Sequence, residues 1–186
     1  MGLIMILGPM KSGKSFEMIS RFIHLKYTAL PYGLFQSSRN VRNENVWSRN
    51  GLSLEAIKVD NLDASLRRNY RIVGVDEIHM FAEEEVKTVE ELLNRGTDVI
   101  VSGLDSDYRG RMFPIIRGLL ELGPTEVHYK KAVCEICKSP DAIYTQIFSG
   151  EQPVVEGLPP VVPDDGGYVY KSVCRKCFVR KLDRIR

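Results

Sequence analysis

Three short stretches of this 186-residue chain carry residue types whose spacing points to chemistry. The first is GPMKSGKS, residues 8–15, which fits the phosphate-binding pattern G-x-x-x-x-G-K-[ST]. Such a loop turns backbone N–H groups inward around phosphate oxygens, and glycine permits the close approach. Gly8, Pro9, Met10, Lys11, Ser12 and Gly13 would form the cradle. Lys14 would place positive charge on the β- and γ-phosphates of ATP, and Ser15 would offer a hydroxyl to Mg²⁺. The second stretch is Asp76-Glu77, which ends the apolar run IVGVDE. An acid at the end of a strand beside a phosphate loop holds Mg²⁺ directly or through its water, so Asp76 joins Ser15 as a candidate ligand. Glu77 is then free to act as general base on whatever attacks the γ-phosphate. That attacker is water in an ATPase or nucleic-acid motor and a substrate hydroxyl in a kinase; alternatively, both acids merely open a helix, where negative charge is favoured. The third stretch is a pair of knuckles, Cys134-x-x-Cys137 and Cys174-x-x-Cys177. Four thiolates at this spacing suit a structural Zn²⁺, and a full sulfur set leaves no open position for chemistry. The metal is expected to fix both ends of the loop 149–167, so that its loss impairs the acceptor side before ATP binding.

These groups need elements to position them. Residues 3–7, LIMIL, read as a buried strand leading into the phosphate loop. Residues 15–27 read as a helix, with apolar Phe16, Ile19, Phe22, Ile23 and Tyr27, and that helix would point its positive dipole end at the anion. Residues 32–36 suit a second strand, and the polar run 37–51 carries no period and reads as a long loop. RIVGVDE (71–77) and DVIVSG (98–103) are strand-like; residues 83–95 form an acidic amphipathic helix that stops at Gly96. Strands alternate with helices to about residue 122, which predicts an α/β layer with a mostly parallel sheet. After that point short strands flank the cysteine knuckles, and SGEQPVVEGLPPVVPDDGG between them reads as an ordered loop or lid.

Composition is that of an ordinary globular chain, with 44% hydrophobic and 27% charged residues. A net charge of +2 gives no strong bulk attraction to nucleic acid or membrane. No apolar stretch is long enough to span a bilayer, and the apolar start is too short for a signal peptide. Met1-Gly2 is not followed by the Ser or Thr of a myristoylation signal, because Ile6 stands there. A cytoplasmic protein is the expectation.

The phosphate loop with Met10 at its third position, the DE pair, LDSDYRG..F (104–113), AVC..C (132–137) and Y.SVCRKCF (170–178) occur in one order. Together they resemble the zinc-containing thymidine kinase family over about residues 2–180. The resemblance implies an α/β P-loop NTPase core (1–130) and a small C-terminal zinc-ribbon-like lobe (131–186). A lasso loop of that lobe would close over the nucleoside. It implies transfer of the ATP γ-phosphate to the 5′-hydroxyl of thymidine, with deoxyuridine as a further acceptor, in a homotetramer. Glu77 then matches the catalytic base. Asp76, Glu77, Ile78 and His79 match a nucleotide-contacting segment, and Met10, Met80, Tyr108, Phe113, Thr145 and Tyr170 match nucleoside-pocket positions. Arg49 matches a loop motif concerned with phosphates or loop order, and Arg109 suits either phosphate charge or solvent.

Departures from the family pattern are local. Asn40-x-Arg42 stands where an acid-x-Arg is usual, His79 where Gln is common, and Ile147 near an expected Arg. The lasso is about eight residues longer than usual and rich in Pro. The competing reading is a P-loop ATPase acting on nucleic acid, with the zinc lobe as reader and the basic run CRKCFVRKLDRIR as support. A non-catalytic nucleotide-binding module is disfavoured by the intact Asp76-Glu77 pair. Neither membrane nor nucleic acid is an expected partner of the kinase.

Overall fold

The computed structural model describes residues 2–40, 45–48, 51–162 and 166–181. Its strands in chain order are β1 (Leu3–Leu7), β2 (Tyr32–Ser37), β3 (Val46–Trp47), β4 (Ser53–Leu54), β5 (Ile57–Val59), β6 (Ile72–Asp76), β7 (Asp98–Gly103), β8 (Glu126–Tyr129), β9 (Tyr144–Ser149), β10 (Gln152–Pro153) and β11 (Val169–Val173). Its α-helices are α1 (Lys14–Phe22), α2 (Asp63–Leu66), α3 (Val86–Asn94) and α4 (Pro114–Glu121). Among the described residues, six strands form one all-parallel sheet in the order β5-β2-β6-β7-β1-β8.

The near-continuous apolar runs of β1, β6 and β7 follow from burial on both faces. Side chains alternate across the sheet with a period of two. Met5, Leu7, Val73, Val75, Val99 and Val101 face one way and pack with Val89 and Leu92 of α3 and with Ile115, Ile116 and Leu119 of α4. Ile6, Leu34 and Ile100 face the other way and pack with Met18, Ile19 and Phe22 of α1. The strands run in register, Leu7 beside Gly103 and Gln36 beside Asp76. The loops leaving β1, β2, β6 and β7 therefore open at one edge, the usual place for a ligand in a parallel sheet.

Several local expectations change. The helix after the phosphate loop ends at Phe22 and tightens into a 3₁₀ turn over Ile23–Tyr27. Its buried stripe is Lys14, Met18, Ile19 and Phe22, spaced by one helical turn, which leaves Phe16, Ile23 and Tyr27 exposed. The stretch 37–51 is not wholly loop: Val46 pairs with Leu54 across an antiparallel ribbon, and both side chains are buried against the α1 cluster. The acidic helix begins as a 3₁₀ turn, Glu83–Glu85, and ends at Gly96, whose φ of 86° suits glycine.

Beyond Tyr129 the chain builds a three-stranded antiparallel sheet, β10-β9-β11. Its core is small: Ala132, Ala142, Val173 and Phe178 around Cys134 and Cys174, with Tyr144 stacked on Phe178 at 4.3 Å. So little apolar volume stabilises a fold weakly, and a structural metal is the common remedy.

Candidate active site

The phosphate loop takes its shape from backbone conformations that side chains resist. Gly8 has φ 144°, and a Cβ there would lie 2.4 Å from the Lys130 carbonyl oxygen. Lys11 is left-handed at φ 63°. Gly13, at φ 84°, has open space where a Cβ would be, room into which a phosphate fits. The Ser12 hydroxyl is buried with no hydrogen-bond partner among the described residues. Lys14 opens α1 and is buried, its Nζ donating to the Pro9 carbonyl at 2.8 Å. Burial pulls its ammonium below the ordinary pKa, while the carboxylates of Glu77, Asp76 and Asp105 push it back up.

Asp76 ends β6, buried, and accepts a hydrogen bond from the Ser102 hydroxyl of neighbouring β7. Burial foremost, then the charge of Glu77, raises its carboxyl to about 7, against the pull of Ser102 and Lys14. Glu77 is left-handed, φ 53° and ψ 43°, a conformation costing a residue with a side chain roughly 1–2 kcal/mol. Its carboxylate lines the cavity beside Lys14 and Asp76. His79 is buried, and its Nδ1 accepts the Leu104 N–H at 3.2 Å, so Nε2 carries the proton. Burial, then the charge of Lys14, holds its pKa at about 3. The ring is thus neutral, and its 3.4 Å approach to Glu77 is not an ion pair. Ile78, between them, is fully buried in the apolar core and does not reach the cavity; Gly8 and Pro9 are buried behind the loop.

The cavity measures about 890 Å³, within the range of small-molecule sites. The rest of the phosphate loop, Met10 to Ser15, lines one stretch of it. Met80, Tyr108, Phe113, Thr145 and Tyr170 line another, closed by Ile147 and by Val161 and Val162 of the lasso. Polar groups here hold chain. The Tyr108 hydroxyl donates to the Leu158 carbonyl at 2.9 Å and accepts the Leu158 N–H at 3.1 Å. Tyr170 donates to the Val162 carbonyl at 2.9 Å. Thr145 Oγ1 accepts the Met10 N–H at 2.9 Å. Arg109 pairs with Asp107 at 2.9 Å and lies over the Tyr108 ring. Arg42, Arg49 and residues 163–165 fall outside the described residues.

Sequence reasoning missed Gln36, Arg39, Trp47 and Ser48, all lining the same cavity. It also missed Asp105, whose carboxyl is raised by burial and which interacts with Lys14. Asp105 carried the signal used for Asp76, an acid just past an apolar strand. Gln36 carried none, since only its register beside Asp76 brings it to the site.

The four cysteine sulfurs lie within 4.8 Å of one another, with Cys137 and Cys174 3.7 Å apart. Zinc bonded tetrahedrally to sulfur at about 2.3 Å requires sulfurs about 3.8 Å apart, so the set fits the ion. The first knuckle also grips the phosphate loop. Glu135 exchanges backbone and side-chain hydrogen bonds with Ser172, at 2.9 and 2.8 Å. It meets Lys11 Nζ at 2.5 Å, and the Ser172 hydroxyl donates to the Met10 carbonyl at 2.5 Å.

Comparison with known proteins bears on the family. A thymidine kinase from Thermococcus kodakarensis (strain KOD1) is 30% identical, with 92% of this chain and 90% of that one covered. A solved structure described as an ATPase superposes with a TM-score of 0.43 at 12% identity, covering 93% of this chain and 79% of that one. The thymidine kinase family pattern matches residues 1–178, so nearly the whole chain takes part, and the protein belongs to the thymidine kinase family.

Proposed function

We propose that the enzyme transfers the γ-phosphoryl group of ATP to the 5′-hydroxyl of thymidine, giving dTMP and ADP for deoxynucleoside salvage, with deoxyuridine as a further acceptor. The observation that carries this reading is the convergence of buried Lys14 and Asp76 with half-buried Glu77 on one cavity that the lasso also lines. Backbone amides and Lys14 hold the transferred phosphate, and the vacant Ser12 hydroxyl suits a phosphate oxygen. Ser15 and Asp76 are the residues to hold Mg²⁺, which when bound neutralises phosphate charge. Glu77 accepts the 5′-hydroxyl proton as the oxygen bonds to the γ-phosphorus and the bond to the β-bridging oxygen breaks. The lasso, held by Tyr108 and Tyr170, excludes water so that the nucleoside oxygen is the attacker. Zinc on the four cysteines is structural. A cytoplasmic homotetramer is the assembly and place the family resemblance implies.

The test incubates the protein with Mg·ATP and a panel of nucleosides, with and without DNA, and separates the products. Thymidine monophosphate formed with stoichiometric ADP is expected. ADP release that needs no nucleoside and rises with DNA would overturn the kinase reading in favour of a nucleic-acid ATPase. Among the described residues no helix is long and apolar enough to cross a membrane.

A further inference from the structure

Strand register sets a polar row across the carboxyl edge of the parallel sheet. Gln36 of β2 lies beside Asp76 of β6 on one side and Lys58 of β5 on the other. Residues that alternate along a strand return to the same face. Leu34, two residues before Gln36, packs with Met18, Ile19 and Phe22. A Cβ at Gly74, two residues before Asp76, would meet Leu34 and Phe22. Gln36 and Asp76 therefore both project on the α1 side of the sheet, where Lys14 opens the helix after the phosphate loop. Gln36 is 2% exposed and lines the main cavity, and its Oε1 is buried with no hydrogen-bond partner among the described residues. A buried carbonyl oxygen without a donor is destabilising, and an apolar side chain of the same length would fill this place without that cost. Packing does not account for the amide; a donor that arrives with the ligand does.

We infer that Gln36 is a positioning residue for the metal of the phosphate donor, its carboxamide oxygen accepting a hydrogen bond from a water of the Mg²⁺ that Ser15 and Asp76 are proposed to hold. This rests on the nucleotide and metal part of the reading above and is independent of the acceptor. The chemistry of the available groups narrows the choice. Phosphate oxygens accept hydrogen bonds, so they cannot complete Gln36 Oε1. Lys14 Nζ is already turned to the Pro9 carbonyl. Mg²⁺ dehydrates reluctantly and keeps several waters where carboxylates and phosphates hold it, and each of those waters is a donor. Neighbouring strands lie about 4.8 Å apart, so a water held against Asp76 is within reach of the Gln36 amide. Rotation about the last side-chain bond of glutamine is broad, which lets the oxygen turn to the cavity while the stem stays packed. A neutral acceptor also suits the place. Asp76, Glu77 and Asp105 already act together on Lys14, and a fourth carboxylate would add like-charge repulsion. Groups of this kind set metal affinity without touching the ion.

The test uses the full-length protein and the β,γ-imido analogue of ATP, which is bound but not turned over. Calorimetry measures its affinity with EDTA and with saturating Mg²⁺, and the ratio of the two is the tightening that the metal confers on the protein. Gln36→Met keeps the length of the side chain and removes its polar atoms. That variant is expected to lower the tightening about tenfold, the weight of one group that orients metal ligands, with metal-free affinity and thymidine KM unchanged. The Mg²⁺ concentration for half-maximal turnover should rise by a similar factor. The melting temperature of the metal-free variant should be no lower than the parent's, because an unpaired buried oxygen is gone. A structural glutamine would do the reverse: a lower melting temperature with the metal's tightening intact. Gln36→Asn keeps the amide but draws it back by one methylene, and should show the same loss of tightening if Gln36→Met does not fold. Unchanged tightening in a folded variant would overturn the inference and leave the kinase reading standing. So would an equal loss of affinity with and without metal. A parent protein whose nucleotide affinity does not respond to Mg²⁺ would overturn the metal part of that reading as well.

Discussion

The phosphate loop and the lasso end share one cavity, yet they are assembled in opposite ways. The cradle is eight consecutive residues between β1 and α1, shaped by its own glycines and a left-handed Lys11. The lasso end draws Met80, Tyr108, Phe113, Thr145, Val161 and Tyr170 from separate loops and strands, and two tyrosine hydroxyls fasten the lasso. Even so, the cradle is not independent. The zinc lobe holds Met10 by both its amide and its carbonyl and holds Lys11 by Glu135. A local motif thus has its final shape completed from 124 or more residues away. These contacts lead us to expect that lobe failure reaches ATP binding as well as the acceptor side.

The largest effect should come from the group both ends share. Glu77→Gln keeps the shape but cannot take a proton, so kcat should fall about 10²–10⁴-fold with ATP affinity retained. Steady-state kinetics beside calorimetry checks this; a loss under tenfold removes Glu77 from the base position. Next comes the link between lobe and cradle. Cys174→Ala should release zinc, lower the melting temperature, and weaken ATP as well as thymidine binding, each by about tenfold or more, because Met10 and Lys11 lose their anchors. Zinc analysis and separate titrations decide it; normal ATP affinity in a zinc-free variant would show the two ends to be independent after all.

A smaller effect is expected at His79, which lies between the ends. Its pKa is lowered from 6.5 to about 3, so it remains neutral while the unfolded chain binds a proton. Stability from this residue is therefore present above pH 6.5 and is lost as pH falls towards 3. His79→Gln removes that loss. Relative to the parent, the variant should gain about 1.4 kcal/mol per pH unit below the unfolded pKa, read by denaturant unfolding at pH 7.5 and 5. A difference independent of pH would mean that the ring is not held neutral. The smallest effect is at the lid. Tyr108→Phe deletes the two hydrogen bonds to Leu158 and should raise thymidine KM a few-fold, speed proteolysis within the lasso, and leave ATP affinity alone. An equal change in ATP affinity would place Tyr108 in the cradle's support instead.

Much of this was legible because its signals are local. The phosphate pattern between an apolar run and a helix, the Asp76-Glu77 pair after IVGVD, and two cysteine pairs each specify their geometry within a few residues. Periodicity misled where an apolar residue could lie on either side of an element: Phe16 and Tyr27 were read with the core, yet Tyr27 is 90% exposed. In the other direction, Ile78 sits beside catalytic candidates in sequence and is buried with the core, because a 3₁₀ turn after β6 aims it inward.

By itself, then, the sequence determined the chemistry available to this protein: a phosphate loop, an acid pair, a sulfur set for a metal, and a family order that joins them. Spacing along the chain suffices there, since each ligand is gripped by neighbours a few bonds apart. Only the tertiary structure decided that Ser102 supports Asp76, that Asp105 acts on Lys14, that Trp47 and Ser48 line the same cavity as the phosphate loop, and that Glu135 and Ser172 clamp that loop. Those partners lie on different strands and lobes. Strand order and the folding back of the zinc lobe bring them together, and no local propensity records that closure.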